Sequence, residues 1–214
     1  MSELQEEREQ VGELGREMLS QELTRGTGGN VSVRTGKLIA ISPSGVPYED
    51  VTPDTVPIVD TDGQRLEGDL KPSNETPMHT TIYRDRPDVG AIVHTHSPYA
   101  STFASLGRSI PASHYLIAYV GREIPVAGYA PPGTEELGEL AAEAMGDDHD
   151  AVLLQNHGVI AVGETGEDAL EVASMVEYCA RIHHQALAVG EPEILPDEEV
   201  DDLRTMFTEE YGQQ

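Results

Sequence analysis

The sequence has one cysteine, no tryptophan and few aromatic residues, and it also lacks a long apolar run. Because Cys179 is alone, an intrachain disulfide and a cysteine-rich metal cluster are excluded. A run of about 18 apolar residues, as a membrane-spanning helix needs, does not occur. Residues 1–10 are acidic where a signal peptide needs a basic start and an apolar stretch. We therefore expect a cytoplasmic protein that does not bind membranes.

Positive charge is also scarce. The chain has 13 Lys and Arg residues against 39 Asp and Glu residues, which gives a formal net charge of −26. Nucleic acids are polyanions whose binding needs clustered cations, so DNA and RNA are not expected as partners. A hydrophobic content of 38% and regular apolar spacing indicate a folding chain rather than a disordered one.

The lack of lysine predicts a protein of concentrated salt, since Lys37 and Lys71 are the only two lysines. In molar salt the Debye length falls to about 3 Å, which screens repulsion among surface carboxylates. The alternative is an ordinary acidic bacterial protein. We expect the melting temperature to rise between low and molar NaCl, measured by scanning fluorimetry. A melting temperature that stays constant or falls would contradict the halophile prediction.

Hydrophobic periodicity predicts helices that flank a set of hairpins. The predicted helices cover residues 3–23, 75–84, 98–106, 113–119, 134–145, 166–189 and 197–210. The predicted strands cover residues 31–34, 37–41, 56–60, 64–68, 91–96 and 124–127, with a last hairpin over 150–163. This order favours a single α/β domain over residues 1–214, in which helices cover a mostly antiparallel sheet. A Rossmann or TIM fold is disfavoured because strands and helices do not alternate regularly.

Acidic residues are missing from two windows, residues 23–48 and residues 89–122. In so acidic a chain, such windows indicate a buried surface, an interface or a site for an anion. The first window contains two loops rich in glycine and hydroxyl groups, residues 26–30 and 42–45. Such loops can direct backbone N–H groups and hydroxyls at one phosphate. The alternative is that they are plain turns, which use the same residue types.

Three histidines and one carboxylate form a candidate metal site. His94 and His96 end a predicted strand, where positions two apart share a face and can bind one ion. His157 lies in a predicted strand-to-strand turn, and Glu75 begins a predicted helix. This donor set suits Zn²⁺ or a similar divalent ion with an exchangeable coordination position. The alternative is a set of hydrogen-bonded structural histidines.

Five short motifs together resemble the class II aldolase/adducin family, in the family's order and over nearly the whole chain. They are Gly29-Asn30-Val31-Ser32-Val33-Arg34, Ser42-Pro43-Ser44-Gly45, Pro72-Ser73-Asn74-Glu75, His94-Thr95-His96 and His157-Gly158. The resemblance is closest to the L-fuculose-1-phosphate aldolases. It implies a three-layer α/β/α fold and a zinc-dependent homotetramer with active sites between neighbouring subunits.

The resemblance also implies roles for individual residues. His94, His96 and His157 match the metal ligands, and Glu75 matches a residue that both touches the metal and acts as acid/base. The match to the substrate-phosphate pocket covers Gly29, Asn30, Ser44, Gly45, Ser73 and Asn74. Asn74 stands where the family usually has a second serine.

Three further positions concern the aldehyde half of the substrate. Tyr115 matches a tyrosine that enters the neighbouring subunit's site as a proton donor. Tyr211 matches a tyrosine of the C-terminal tail that closes over the site. Pro132 stands where a relative has an aromatic residue in the aldehyde pocket, so the aldehyde preference is expected to differ.

The activity that the resemblance implies is cleavage of a ketose 1-phosphate, such as L-fuculose 1-phosphate, to dihydroxyacetone phosphate and an aldehyde. A divalent ion, Zn²⁺ or else Mn²⁺ or Co²⁺, would stabilise the enediolate. An L-ribulose-5-phosphate 4-epimerase is the first alternative, although that branch usually has Asp where Glu75 stands. A methylthioribulose-phosphate dehydratase and a non-catalytic adducin-like interaction domain are the others. Retention of all three histidines and Glu75 argues against the interaction domain.

Overall fold

A computed structural model describes residues 4–209 and, within them, the side chains of residues 4–207. This part contains six α-helices and ten strands. The helices are α1 (Gln5–Ser20), α2 (Thr76–Asp85), α3 (Pro98–Leu106), α4 (Glu135–Met145), α5 (Gly166–Val189) and α6 (Asp197–Glu209). The strands are β1 (Asn30–Thr35), β2 (Leu38–Ile41), β3 (Ile58–Asp60), β4 (Arg65–Glu67), β5 (Ala91–Thr95), β6 (Ile110–Pro111), β7 (Glu123–Ile124), β8 (Val126–Ala127), β9 (Ala151–Leu154) and β10 (Val159–Gly163).

One sheet organises the described part of the chain. Its strand order is β4-β3-β2-β1-β5-β10-β9-β8, and β6 pairs with β7 separately. Neighbouring strands of the large sheet are antiparallel except β8 and β9, which are parallel. The predicted hairpins therefore form, and β5 lies in the middle of the sheet between β1 and β10.

Helices cover both faces of this sheet because apolar side chains alternate along its strands. In β5, Ile92 packs in a core with Met78 of α2 and Leu137 of α4. The next residue, Val93, packs on the opposite face with Val11 of α1 and Val176 of α5. The result is a three-layer α/β/α arrangement with a mostly antiparallel sheet, so the predicted fold class is confirmed.

The first helix is shorter than predicted, because it ends at Ser20 rather than near residue 23. Glu22 adopts the left-handed conformation, with φ of 58°. The N–H groups of Glu22 and Leu23 then donate to the carbonyls of Leu19 and Met18. This pair of bonds is the Schellman ending, which usually uses glycine at the left-handed position. A glutamate there is not a signal that periodicity detects.

The stretch between α3 and α4 is also less regular than predicted. The helix predicted at 113–119 is a short 3₁₀ helix over Tyr115–Tyr119. The strand predicted at 124–127 is divided at Pro125 into β7 and β8, which pair with β6 and β9. Proline has no N–H to donate to a ladder, so it marks the change of partner. The two-residue strand β6 was not predicted.

None of the helices in residues 4–209 is both long enough and apolar enough to cross a bilayer. The organisation of residues 1–214 as one domain stays a prediction.

Candidate active site

The ends of adjacent strands bring the predicted metal-binding residues together. Asn30 at the start of β1 pairs with His94 near the end of β5, which pairs in turn with Ile160 of β10. His157 lies in the turn that leads into β10, just after Asn156, whose φ is 58°. Glu75 is the residue that precedes the first turn of α2.

The three histidine rings face one another at van der Waals distance. The ring centroids of His94 and His96 are 4.8 Å apart, as are those of His94 and His157, and those of His96 and His157 are 5.2 Å apart. One ring nitrogen from each lies within 4.8 Å of the other two. Burial and the neighbouring rings lower the pKa of His96 to about 4. Neutral imidazoles are the form that binds metal ions.

Glu75 joins this cluster through both of its carboxylate oxygens. Its Oε2 lies 3.2 Å from His94 Nε2, and its Oε1 lies 3.3 Å from His157 Nε2. Asn30 Nδ2 donates to Oε2 at 2.7 Å, whereas Oε1 is buried and accepts no hydrogen bond. Burial by itself raises the pKa of Glu75. The facing histidines and the hydrogen bond from Asn30 lower it by more than burial raises it, so the pKa lies below its usual range and the carboxylate stays ionised.

The cluster has the donor set that a cation requires. His94 Nδ1 lies 2.8 Å from the Val159 carbonyl oxygen, which can only accept, so Nδ1 carries a proton and Nε2 offers a lone pair. That lone pair faces His96 Nε2 at 3.0 Å and the Glu75 carboxylate. Burial lowers the pKa of His94, but the charge of Glu75 raises it more. The carboxylate thus favours positive charge at Nε2, which either a proton or a bound divalent ion would supply. Three imidazoles and a carboxylate fit Zn²⁺.

A polar cavity of about 390 Å³ opens beside the cluster. It is lined by every predicted phosphate-binding residue, namely Gly29, Asn30, Ser44, Gly45, Ser73 and Asn74, and by Glu75, His96 and His157. Both glycine-hydroxyl loops of the first acid-free window reach it, and Glu75 is the only carboxylate among its lining residues in the described chain. Pro132 also lines it.

Glycine at position 29 allows the first loop to approach the metal-binding cluster. Its φ is 68°, and a side-chain Cβ at this position would lie 2.4 Å from the carbonyl oxygen of His94. A larger residue would therefore be strained and would collide with β5, which carries His94 and leads directly into His96. The loop was predicted as phosphate-binding, and its close packing on β5 is visible only in the structure.

Tyr48 belongs to the cavity but was not predicted. Its hydroxyl donates to the Gly29 carbonyl at 3.2 Å, and its ring packs against Gly15 of α1. Burial raises the pKa of Tyr48 to about 12, so the hydroxyl stays protonated and holds the loop. The only sequence signal was its position at the end of the acid-free window.

Of the two predicted tyrosines, the structure describes only Tyr115, which does not lie in this cavity. Tyr115 begins the 3₁₀ helix, is 49% exposed and contacts His114 and Phe207. It is not among the cavity's lining residues in the described chain. Tyr211 lies outside the described residues, so its predicted role is not addressed by the structure.

Most of the chain matches a known protein family. The profile described as "Class II Aldolase and Adducin N-terminal domain" matches residues 9–184, which include the whole cluster and the cavity loops. The chain belongs to the class II aldolase family. The resemblance seen in its motifs is thereby confirmed.

Class II aldolases also provide similar full-length relatives. A 5-deoxy-D-ribulose 1-phosphate aldolase of Bacillus thuringiensis is 48% identical over 213 residues, which is 99% of both chains. A 5-methylthioribulose-1-phosphate/5-deoxyribulose-1-phosphate aldolase of Rhodospirillum rubrum is 42% identical over 89% of this chain and 85% of its own. A solved L-fuculose 1-phosphate aldolase superposes with a TM-score of 0.91 at 40% identity, covering 97% of each chain.

Proposed function

We propose that this class II aldolase cleaves a ketose 1-phosphate into dihydroxyacetone phosphate and an aldehyde, with a divalent metal ion. The observation that carries the proposal is the position of Glu75. It contacts His94 and His157 and also lines the polar cavity, so one carboxylate touches both the ion site and the substrate site. An interaction domain without catalysis has no need for that arrangement.

The substrate phosphate would bind at the end of the cavity formed by residues 27–30, 42–45 and 73–74. These loops present backbone N–H groups and hydroxyls, which suit phosphate oxygens. The substrate's carbonyl and hydroxyl oxygens would then face the histidine cluster. His94, His96 and His157, with Glu75, would hold the ion. The ion would act as a Lewis acid that stabilises negative charge on the enediolate oxygens.

Glu75 would move the proton at the substrate carbon. In cleavage the C3–C4 bond breaks and its electron pair stays on C3, while the C4 hydroxyl loses its proton and becomes the aldehyde. In the synthetic direction the ionised Glu75 would remove a proton from C3, and in cleavage the acid form that this step produces would return the proton to C3. Oε1 is suited to this step because Asn30 holds Oε2 and nothing donates to Oε1.

In the synthetic direction Tyr115 of a neighbouring copy would donate its hydroxyl proton to the aldehyde oxygen, and in cleavage its phenolate would take that proton back from the C4 hydroxyl. Its ring is half exposed and does not line the cavity of its own chain, which agrees with a site shared between subunits. The proposed assembly is the homotetramer that the family resemblance implies. Tyr211 would close over the aldehyde half.

The aldehyde is proposed to be small. The relative that is similar over 99% of both chains is named for a 5-deoxypentulose phosphate, whose five carbons divide into dihydroxyacetone phosphate and acetaldehyde. L-Fuculose 1-phosphate, with six carbons, divides into the same phosphate and lactaldehyde. We infer that the five-carbon substrate is preferred and that Zn²⁺ is the ion, because three imidazole ligands suit it.

The test is release of dihydroxyacetone phosphate from a panel of ketose 1-phosphates, with and without a chelator. We expect 5-deoxyribulose 1-phosphate to be cleaved with the highest kcat/KM. Chelation should lower the rate at least about 100-fold, because Lewis-acid stabilisation is worth several kcal/mol, and Zn²⁺ should restore it. A protein that binds no divalent ion and releases no triose phosphate would support the interaction domain, and inversion of ribulose 5-phosphate would support the epimerase.

A further inference from the structure

The proposed phosphate pocket contains no cation of its own. Among the described residues that line the cavity, none is a lysine or an arginine. The two arginines of the first acid-free window do not line the cavity either. Arg34 donates to the carbonyls of Tyr83 and Pro87, and Arg25 lines a separate groove with Tyr99. A phosphate dianion entering a chain of net charge −26 is repelled by the average field, so the nearest positive charge matters.

Lys71 supplies a positive charge beside the pocket through its contact with Asn74, which lines it. Its Nζ donates to Asn74 Oδ1 at 2.7 Å, and its backbone carbonyl accepts from Ser44 N–H at 2.8 Å. The segment is tied further by the bond from Ser73 N–H to the Ser42 carbonyl at 2.9 Å. Lys71 therefore contacts two of the three loops that carry the predicted phosphate ligands. It does not line the cavity, whereas Asn74 does.

The bond to Lys71 decides which way the Asn74 amide faces. An ammonium group has donors only, so it must pair with Oδ1, and Nδ2 is left to donate elsewhere. The opposite orientation would present a carbonyl oxygen to a phosphate and repel it. The serine usual at this position in the family has one rotatable hydroxyl that donates or accepts, and it needs no such partner. The asparagine of this chain needs one.

We propose that Lys71 is a positioning residue for the substrate phosphate, acting by holding Asn74 with its Nδ2 donors toward the pocket. This rests on the proposed function, since it takes the ligand to be a phosphorylated ketose. The ammonium also polarises the amide and adds positive charge beside the pocket, and charge-assisted hydrogen bonds are stronger than neutral ones.

The experiment compares Lys71→Met, Lys71→Arg and Asn74→Ser, with Lys37→Met as the matched control. Lys37 is the only other lysine, is exposed, and lies in the turn at the far end of β1 from Asn30. Its substitution makes the same change in net charge away from the pocket. For each metal-loaded variant, kcat and KM are measured with the ketose 1-phosphate, and the dissociation constant of inorganic phosphate is measured by calorimetry.

In Lys71→Met, KM and the phosphate dissociation constant should both rise about five- to tenfold, with kcat within about twofold. Lys71→Arg should restore most of the affinity, and Lys37→Met should leave both constants unchanged. In the Asn74→Ser background, Lys71→Met should weaken phosphate binding less than about twofold, because its partner is gone.

Three results would overturn the proposal. They are equal effects of the Lys71 and Lys37 substitutions, a fall in kcat without loss of phosphate affinity, and an undiminished effect of Lys71→Met in the Asn74→Ser background. The phosphate titration does not depend on turnover, so it separates this proposal from the proposed function. A protein that binds phosphate in a Lys71-dependent way but cleaves no ketose phosphate would retain the first and refute the second.

Discussion

Glu75→Gln is expected to lower carbon–carbon cleavage at least about 1,000-fold, in the range that removal of a general acid/base produces. Glutamine has nearly the same shape, so the donation from Asn30 Nδ2 to the remaining oxygen can persist. An amide cannot take up the substrate proton that Oε1 is free to accept. The variant should therefore also lose exchange of the dihydroxyacetone phosphate C–H proton with solvent.

The measurement is proton exchange followed by NMR in D₂O, with metal content determined on the same sample. Because His94, His96 and His157 are untouched, bound metal should stay near one ion per chain. Glu13→Gln, on the exposed side of α1, is the matched control and should behave as wild type. Exchange at the wild-type rate in Glu75→Gln would remove Glu75 as the base.

Gly158→Ala is expected to weaken metal binding strongly although it alters no ligand. A Cβ at this position would lie 2.2 Å from the Thr95 carbonyl oxygen and 2.9 Å from the His96 ring. It would lie 3.2 Å from the ring of His94. The carbonyl is backbone of a central region of the sheet, so β5 and both rings must move. Displacing ligands in this way should weaken metal affinity about 100-fold or more, and overpacking should lower the free energy of unfolding by about 1–3 kcal/mol.

Gly128→Ala supplies the control for the Gly158 substitution. At position 128 the nearest atom to a new Cβ is Leu140 Cδ1 at 3.8 Å, an ordinary contact, and Gly128 does not line the cavity. Metal affinity is read by Zn²⁺ titration, and unfolding by melting with and without chelator. Wild-type should lose stability on chelation, whereas Gly158→Ala should respond little. A Gly158→Ala protein that keeps its metal would contradict the described packing.

Much of the fold could be predicted because the sequence of each strand shows which of its residues face the core. Side chains alternate along a strand, so the apolar pattern of residues 91–96 predicted a buried strand, and it also placed His94 and His96 on one side of the chain. Turn residues marked the hairpins. Two boundaries were missed: the end of α1, where Glu22 adopts the left-handed conformation that glycine usually takes, and the change of strand partner at Pro125.

The distribution of acidic residues along the sequence also indicated which segments form the candidate site. The first acid-free window supplies Tyr48 and the two glycine-hydroxyl loops that line the cavity. The second window supplies His94, His96 and Tyr115. Carboxylates near these loops would repel a phosphate, so their absence from the sequence predicts a site for an anion there. The halophile prediction concerns the rest of the surface and awaits the salt series.

By itself the sequence determined the strand faces, the hairpins and the spacing of the histidine pair, because covalent geometry sets which neighbours share a side. Only the tertiary structure decided that Asn30 hydrogen-bonds Glu75, 45 residues away, and that His157 Nε2 lies 3.3 Å from Glu75 Oε1. It also decided that Lys71 faces Asn74 and that Tyr48 holds Gly29. These contacts form only once packing on both faces of the sheet has closed the loops. The entropy lost on closing the loops is offset by contacts throughout the chain, so no local segment determines the outcome.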